Sequence, residues 1–416
     1  MSFYTSQVKT HVIDPQFNSS LYRSEFRLGV PNTLWTSNLR IHNLGVLVNT
    51  QTMMGEARYN HLVGAHGIVK QIGLYDGKRM LSQITNFADW TGFLSYKHTN
   101  QQNTDMLKVS AKTGLGYIYH RDVPQATVKQ PILIKESCND LGVFIGNSPE
   151  ASPAGMLMLA SVFPLLAELP YLHTGLFPDL RVVIQYYPGS NTNILQPNSG
   201  NNTITATTLP LMCADEIINA DFAAKQLAAF KDVVFHETEM DSVVVPQDTE
   251  HVRLRLQAFT NKSLVALTVQ KKPLAQGSTL YKTYGSQFCF GEKIQLVCNG
   301  SNLLADDGCV RPSQKLQMLT ECWGVANTIP CGNNGATYGV SKLIELAEQR
   351  VSKLDYFATL VNKRITSLDI DYSRQQTTVG ETNTIQYNQK LMLQCFGTVR
   401  KAIVKAKDGS YSVLYV

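Results

Sequence analysis

The sequence predicts an all-β protein built as two strand-rich units in tandem. Short apolar or alternating runs that end in turn residues are the first reason, because antiparallel strands joined by tight reversals produce this pattern. The second is three Asp-Gly pairs, at 76–77, 307–308 and 408–409, a dipeptide that reaches the positive φ of a hairpin turn cheaply. The third is a stretch near mid-chain, Pro188 to Asn202, crowded with Pro, Gly, Ser and Asn, where almost nothing can be buried. At about 150 residues per domain, a chain of 416 residues holds two or three domains. Its 44% hydrophobic content supplies substantial cores and argues against disorder.

From the N-terminus, residues 1–18 read as an arm and 19–190 as the first unit. Within that unit, Thr33 to Val48, Gln130 to Gly146 and Leu180 to Tyr187 are strand candidates. The best hairpin runs from Ile68 to Tyr75, turns at Asp76-Gly77 in a type I′ turn, and returns from Lys78 to Ile84. Helical spacing is confined in this half to Ile84–Tyr96 and Met156–Leu169. Residues 191–203 read as the linker and 204–416 as the second unit. There His251 to Gln270, Gln287 to Val297 and Lys390 to Val399 are strands. In the first of these, Val252, Leu254, Leu256 and Ala258 alternate with arginines and polar residues, the period of a half-buried strand. Ala214–Lys231 and Ser341–Leu360 carry helical spacing, the latter with Leu343, Leu346, Ala347, Val351 and Leu354 on one face. Asp408-Gly409 joins Ala402–Lys407 to Ser410–Val416 as a closing hairpin, while Asp307-Gly308 lies in a more polar loop. Two halves of this kind suggest a duplicated β-sandwich, although no self-similarity of fixed period is visible.

Charge and motif content exclude several classes. Lys plus Arg number 37 against 32 Asp plus Glu, and a net +5 is too mild for a dedicated nucleic-acid-binding domain. The N-terminus lacks the apolar core of a secretory signal. The longest apolar stretch, Met156 to Leu169, is interrupted by Pro164 and Glu168 and falls short of the roughly 20 residues of a membrane span. None of the 8 cysteines stands in a C-x-x-C pair, and six follow the last histidine, His251, so reduced thiols are expected rather than disulfides or local zinc sites. With no secretory route, the Asn-x-Ser/Thr triplets at Asn18, Asn201, Asn261 and Asn299 are chance composition. His236-Glu237 opens like a zinc-protease helix but lacks the second histidine. His120-Arg121-Asp122 lacks the downstream Asn of a kinase loop, and Gly114-Leu115-Gly116 lacks a third glycine. Tyr281-Lys282-Thr283-Tyr284 suits a sandwich edge better than base stacking. The residues therefore offer no catalytic group, cofactor site or metal site.

The ordered set of strand motifs resembles the double-jelly-roll major capsid proteins of polinton-like viruses, adintoviruses and virophages, within the adenovirus and tailless-phage capsid lineage. In the first half the resemblance rests on Ser37–Gly45, Gly67–Gly77 and Phe177–Tyr186. In the second it rests on Tyr284-Gly285-Ser286, Glu292–Asn302, Trp323-Gly324, Phe396–Lys401, Tyr411 and Tyr415. The resemblance implies two tandem eight-stranded jelly rolls with short helices in the inter-strand insertions. It also implies a structural role: a homotrimeric, pseudo-hexameric capsomer that tiles an icosahedral virion shell around double-stranded DNA. The chain would be no enzyme and would need no cofactor. Its implied partners are further copies of itself, minor capsid and vertex (penton) proteins, and packaged DNA or an internal membrane. Assembly would take place inside the host cell. The resemblance does not assign interface residues.

Two other readings compete. A β-sandwich carbohydrate-binding protein or carbohydrate-active enzyme predicts a concave sheet lined with Trp and carboxylates, whereas the chain has only 3 Trp. A single-jelly-roll vertex or fibre protein with an appended domain predicts a pentamer.

Overall fold

The computed structural model describes residues 8–19, 22–44, 46–49, 55–59, 68–87, 89–90, 143–146, 155–187, 195–196, 204–207, 210–273, 292–305, 308–310, 312–323, 356–374, 390–406 and 410–416. Nine strands come first: β1 (Val8–Ile13), β2 (Phe17–Ser19), β3 (Arg23–Arg27), β4 (Leu34–Thr36), β5 (Arg40–Leu44), β6 (Val46–Asn49), β7 (Gly55–Tyr59), β8 (Val69–Asp76) and β9 (Arg79–Thr85). β10 (Val143–Gly146) and β11 (Gly155–Met158) then lead into two short helices, α1 (Leu159–Val162) and α2 (Pro164–Glu168). β12 (Tyr171–His173), β13 (Leu180–Tyr186), β14 (Leu195–Gln196), β15 (Ile204–Thr207) and β16 (Leu211–Ile217) precede α3 (Ala220–Ala229). The remainder is β17 (Val233–Val245), β18 (His251–Arg255), β19 (Ser263–Pro273), β20 (Lys293–Cys298), β21 (Ser301–Asn302), α4 (Pro312–Trp323), β22 (Tyr356–Arg364), β23 (Leu368–Ser373), β24 (Leu391–Lys405) and β25 (Tyr411–Tyr415).

Local chemistry accounts for many of these elements. Along β13, Leu180, Val182, Ile184 and Tyr186 are buried while Arg181, Val183 and Gln185 alternate with them, so one face of the strand meets the core. β23 repeats the pattern with Leu368, Ile370 and Tyr372. Pro164 starts α2 at a position that needs no N–H. α3 starts where the Asn219 side chain accepts the Phe222 N–H at 3.0 Å, with Asp221 in the first turn facing the positive helix end.

Contacts divide the chain into two compact units: Met1–Phe235 with Ala402–Leu414, and His236–Lys401 with Tyr415–Val416. The first contains the sheet β11-β5-β16-β4-β12, with β1 on β16, and the sheet β2-β3-β13-β8-β9; β10-β7-β14 and β15-β6 form smaller sheets. The division falls later than the expected 191–203 linker. β16 lies beyond that linker, yet it pairs with β4 and β5 in the first unit. A Pro/Asn-rich run marks a loop, and pairing partners decide whether that loop ends a domain. Likewise most of the described part of the expected 1–18 arm lies in sheets, with β1 on β16 and β2 on β3.

The second unit contains the sheet β17-β24-β19-β22 and the sheet β18-β23-β20-β21. One apolar core joins the two. Leu264, Leu267 and Val269 of β19, Phe357 of β22 and Leu393 and Cys395 of β24 meet Ile294 and Leu296 of β20 and Ile370 and Tyr372 of β23. This is sheet-on-sheet packing, and the sandwich follows from each sheet having one apolar face to cover.

Several helix expectations are revised. Ala214–Lys231 begins as strand β16 and becomes helical only after the Asn219 cap. Of the expected Ser341–Leu360 helix, the described part, from Tyr356 onward, is strand β22 on β19. Its β-branched and aromatic residues fit the pleat once an edge is available. The helix α4 had no sequence expectation. The expected strand from Thr33 to Val48 is broken into β4, β5 and β6.

Candidate functional site

The sequence singles out Asp76-Gly77, and the structure makes this turn the centre of a buried polar node in the first unit. β8 and β9 pair through Asp76 and Arg79, so the two central residues are Gly77 and Lys78. Gly77 has φ 58°, and Lys78 is not among the positive-φ residues. Glycine at the first central position is the type II′ pattern rather than I′. Asp76 stays in the strand because its carboxylate is already engaged. Oδ1 accepts the Asp179 N–H and Oδ2 accepts the Tyr411 hydroxyl, both at 2.7 Å. Gly77 N–H donates to Asp179 O at 2.9 Å, and Arg181 donates to Gly77 O. Arg79 donates to Tyr411 O at 2.7 Å and its guanidinium sits 5.1 Å from the Tyr411 ring centre. Phe177 meets that ring edge-on at 4.9 Å. Burial, then the bond to Asp76, pushes the Tyr411 hydroxyl well above the usual tyrosine range. Asp408 and Gly409 lie outside the described residues. Their flanks pair, Ala406 N–H donating to Ser410 O at 2.8 Å.

The second unit buries two ionic clusters. In one, Lys401 is paired with Glu237 and lies 3.2 Å from Glu239, which also pairs with Lys262 and accepts the Tyr415 hydroxyl at 2.8 Å. The Lys262 and Lys401 ammoniums stand 4.6 and 4.9 Å from the Tyr415 ring centre. Burial pulls the Lys401 pKa down, but Glu237 and Glu239 outweigh it and hold the ammonium above its ordinary range. In the other, Lys271 donates to both Glu292 oxygens at 2.9 Å, Tyr372 donates to the same carboxylate, and Lys315 donates to Glu292 O at 2.8 Å. Such clusters fix partners rather than perform chemistry, since every charge is already bonded.

Motif by motif, the remaining chemistry reduces to structure. Glu237 is a buried ion-pair partner, and His236 is exposed. The 114–116, 120–122 and 281–284 motifs lie outside the described residues. Cys213, Cys298, Cys309, Cys322 and Cys395 form no disulfide. Among the described residues no group of three or more His, Cys, Asp or Glu is placed to hold a metal ion. Among them, too, no helix is long and apolar enough to cross a membrane. Trp35 and Trp90 are buried, so neither can line an open sugar-binding face. Apolar side chains do reach the surface: Val12, Tyr22, Val30 and Ile218 in the first unit, and Val244, Leu360 and Val416 in the second.

No family model matches the chain, and no curated protein matches it in sequence. Solved structures do match. The Faustovirus major capsid protein superposes with a TM-score of 0.56 at 8% identity, covering 96% of this chain and 90% of that one. The mavirus major capsid protein gives 0.54 at 9% identity, over 100% and 91%. The Sputnik virophage structure gives 0.54 at 12% identity, over 98% and 88%. The chain has the double-jelly-roll fold. With identities this low, the likeness is carried by strand order and sandwich packing rather than by shared side chains. In this double jelly roll, Asp76 and Gly77 shape a hairpin end in the first roll. Tyr411 and Tyr415, both in the family-like C-terminal segment, are bonded to Asp76 and Glu239 respectively. The hydroxyl bonds were not legible in the sequence, because the partners are 335 and 176 residues away.

Proposed function

We propose that this chain is a major capsid subunit. Three copies associate into a pseudo-hexameric capsomer of six jelly rolls, and capsomers tile an icosahedral virion shell around a double-stranded DNA genome. The observation that carries this reading is the extent of the match. The fold of two proteins named as major capsid proteins, and of a chain in the Sputnik virophage structure, is followed over 96% or more of this chain, so both units take part. The buried ionic clusters fit a protein whose work is assembly, with no reaction and no cofactor.

Trimer formation buries large apolar surfaces, as obligate interfaces of about 2,000 Å² or more do. Contacts between trimers are smaller and more polar, so misplaced capsomers dissociate before the shell closes. Minor capsid and vertex proteins complete the shell inside the host cell. The weak positive charge lets its inner face meet DNA or a lipid layer, an association that weakens as salt rises. Sedimentation of the purified protein tests the reading. A species of three times 46.2 kDa with pseudo-hexagonal outlines in electron micrographs is expected. A monodisperse monomer or a pentamer refutes it.

A further inference from the structure

The first unit contains a cleft of about 210 Å³ beside the C-terminal end of α3, walled by Leu34, Leu176, Phe177, Leu227 and Phe230, with His173 among its lining residues. Liquid water occupies about 30 Å³ per molecule, so this is room for about seven waters, or one ring. It is smaller than the roughly 300–1,000 Å³ that drug-sized ligands occupy.

His173 is one of the cleft's polar lining residues, beside Tyr171, Gln226 and Lys231. The residue is only 9% exposed, and its Nδ1 accepts the Gly175 N–H at 2.8 Å. A backbone N–H can only donate, so Nδ1 carries no proton and the neutral ring holds its proton on Nε2. Burial pulls the His173 pKa below the ordinary histidine value, which keeps the ring in this form. Among the described residues no acceptor is bonded to Nε2. Nδ1 is turned to its own backbone, so Nε2–H is the donor the ring offers the cleft. Gly175 protects this geometry. A Cβ there would stand 2.9 Å from His173 Nδ1 and 3.2 Å from Leu227 Cδ2, and would displace the ring.

Among the described residues the lining holds no carboxylate; Lys231 is part of it, and Lys405 Nζ donates to Leu227 O at 3.2 Å at the end of α3. The geometry points to a binding site for a small molecule: one aromatic or branched apolar group bearing a single hydrogen-bond acceptor such as a ketone. The apolar part packs against Phe177, Leu227 and Phe230, and the oxygen accepts from His173 Nε2–H. This site is independent of the assembly reading and stands on the first unit alone.

Saturation-transfer NMR on the full chain tests it with acetophenone and ethylbenzene, which share ring and side-chain length but differ in the acceptor. Acetophenone is expected to bind about fivefold more tightly, the effect of one net hydrogen bond. His173→Phe keeps the apolar wall and removes the donor, so the preference should vanish while ethylbenzene still binds. Ala229→Trp, at an exposed position on the rim, should block both probes. Equal binding by the wild type, a preference that survives His173→Phe, undiminished binding to Ala229→Trp, or no transfer to either probe at millimolar concentration each overturn the assignment.

Discussion

Gly397 in β24 offers the sharpest test of the second unit's packing. A Cβ built there would stand 2.8 Å from Cδ1 and Cζ of Phe259 and closer still to Cε1. Phe259 is wholly buried in the core that joins the two sheets, so the ring has no free direction in which to retreat. Gly397 also faces Leu267 in the β19 ladder, which holds the backbone from the other side. Overpacking of this kind costs about 1–3 kcal/mol. Replacing glycine in a strand recovers about 0.5–1 kcal/mol of chain entropy. Gly397→Ala should therefore destabilise the β19–β24 ladder by about 1–2 kcal/mol. Phe259→Ala alone should cost about 3–5 kcal/mol through the cavity it leaves. In that background the new methyl meets space instead of a ring, so Gly397→Ala should become neutral or mildly stabilising. Hydrogen exchange of peptides spanning β19 and β24 reads this locally, which suits a chain of two units better than a global midpoint. Exchange in these peptides should quicken about five- to thirty-fold in Gly397→Ala and show no further increase over Phe259→Ala in the double variant. Effects that add to within about 0.5 kcal/mol would refute the contact, since independent sites add that closely.

Three further outcomes are expected. Gly77→Val should loosen the β8–β9 hairpin by about 1–2 kcal/mol or more, because φ 58° is strained for a side-chain-bearing residue. The nearest atom to an added Cβ is 3.7 Å away, so the cost is conformational, and unchanged exchange of the hairpin amides would count against it. Lys401→Met should cost about 3–5 kcal/mol by removing the ammonium paired with the buried Glu237 carboxylate, whereas Lys401→Met with Glu237→Leu should be close to neutral. Equal losses in the single and double variants by urea denaturation would remove the ion pair from the argument. Tyr411 is held above the unfolded tyrosine value of about 10. The folded state therefore keeps a proton that the unfolded state releases, so this contribution is complete below pH about 10 and is lost as pH rises beyond it. Tyr411→Phe should shallow the alkaline loss of stability, and an unchanged slope would show that Tyr411 does not carry it.

Period and turn chemistry are local properties, and what they encode was legible. The alternation in Leu180–Tyr186 and His251–Arg255, the Asp76-Gly77 reversal and the strand class of the chain all follow from which residues repeat every second position and which reach positive φ. The same local signals misplace what depends on a partner. Tyr356–Arg364 continues a helical stripe in sequence but forms β22, because β19 presents an unpaired edge whose hydrogen bonds a helix would forgo. The run at 191–203 has the composition of a linker, yet β16 beyond it belongs to the first unit's sheet. Asp76 has the residue type of a turn centre but remains a strand residue, because its carboxylate is bonded to Asp179 and Tyr411.

By itself the sequence determined the all-β class, the two-part organisation, the absence of a recognisable catalytic motif and, through ordered strand words, a resemblance to double jelly rolls. Only the tertiary structure decided where one unit ends, which buried charges meet, that Gly397 leaves room for Phe259, and that His173 keeps a proton on the nitrogen it offers its cleft. The physical reason is range. Backbone preference and hydrophobic period act over a few residues, whereas pairing, burial and proton placement depend on groups that only folding brings within hydrogen-bonding distance.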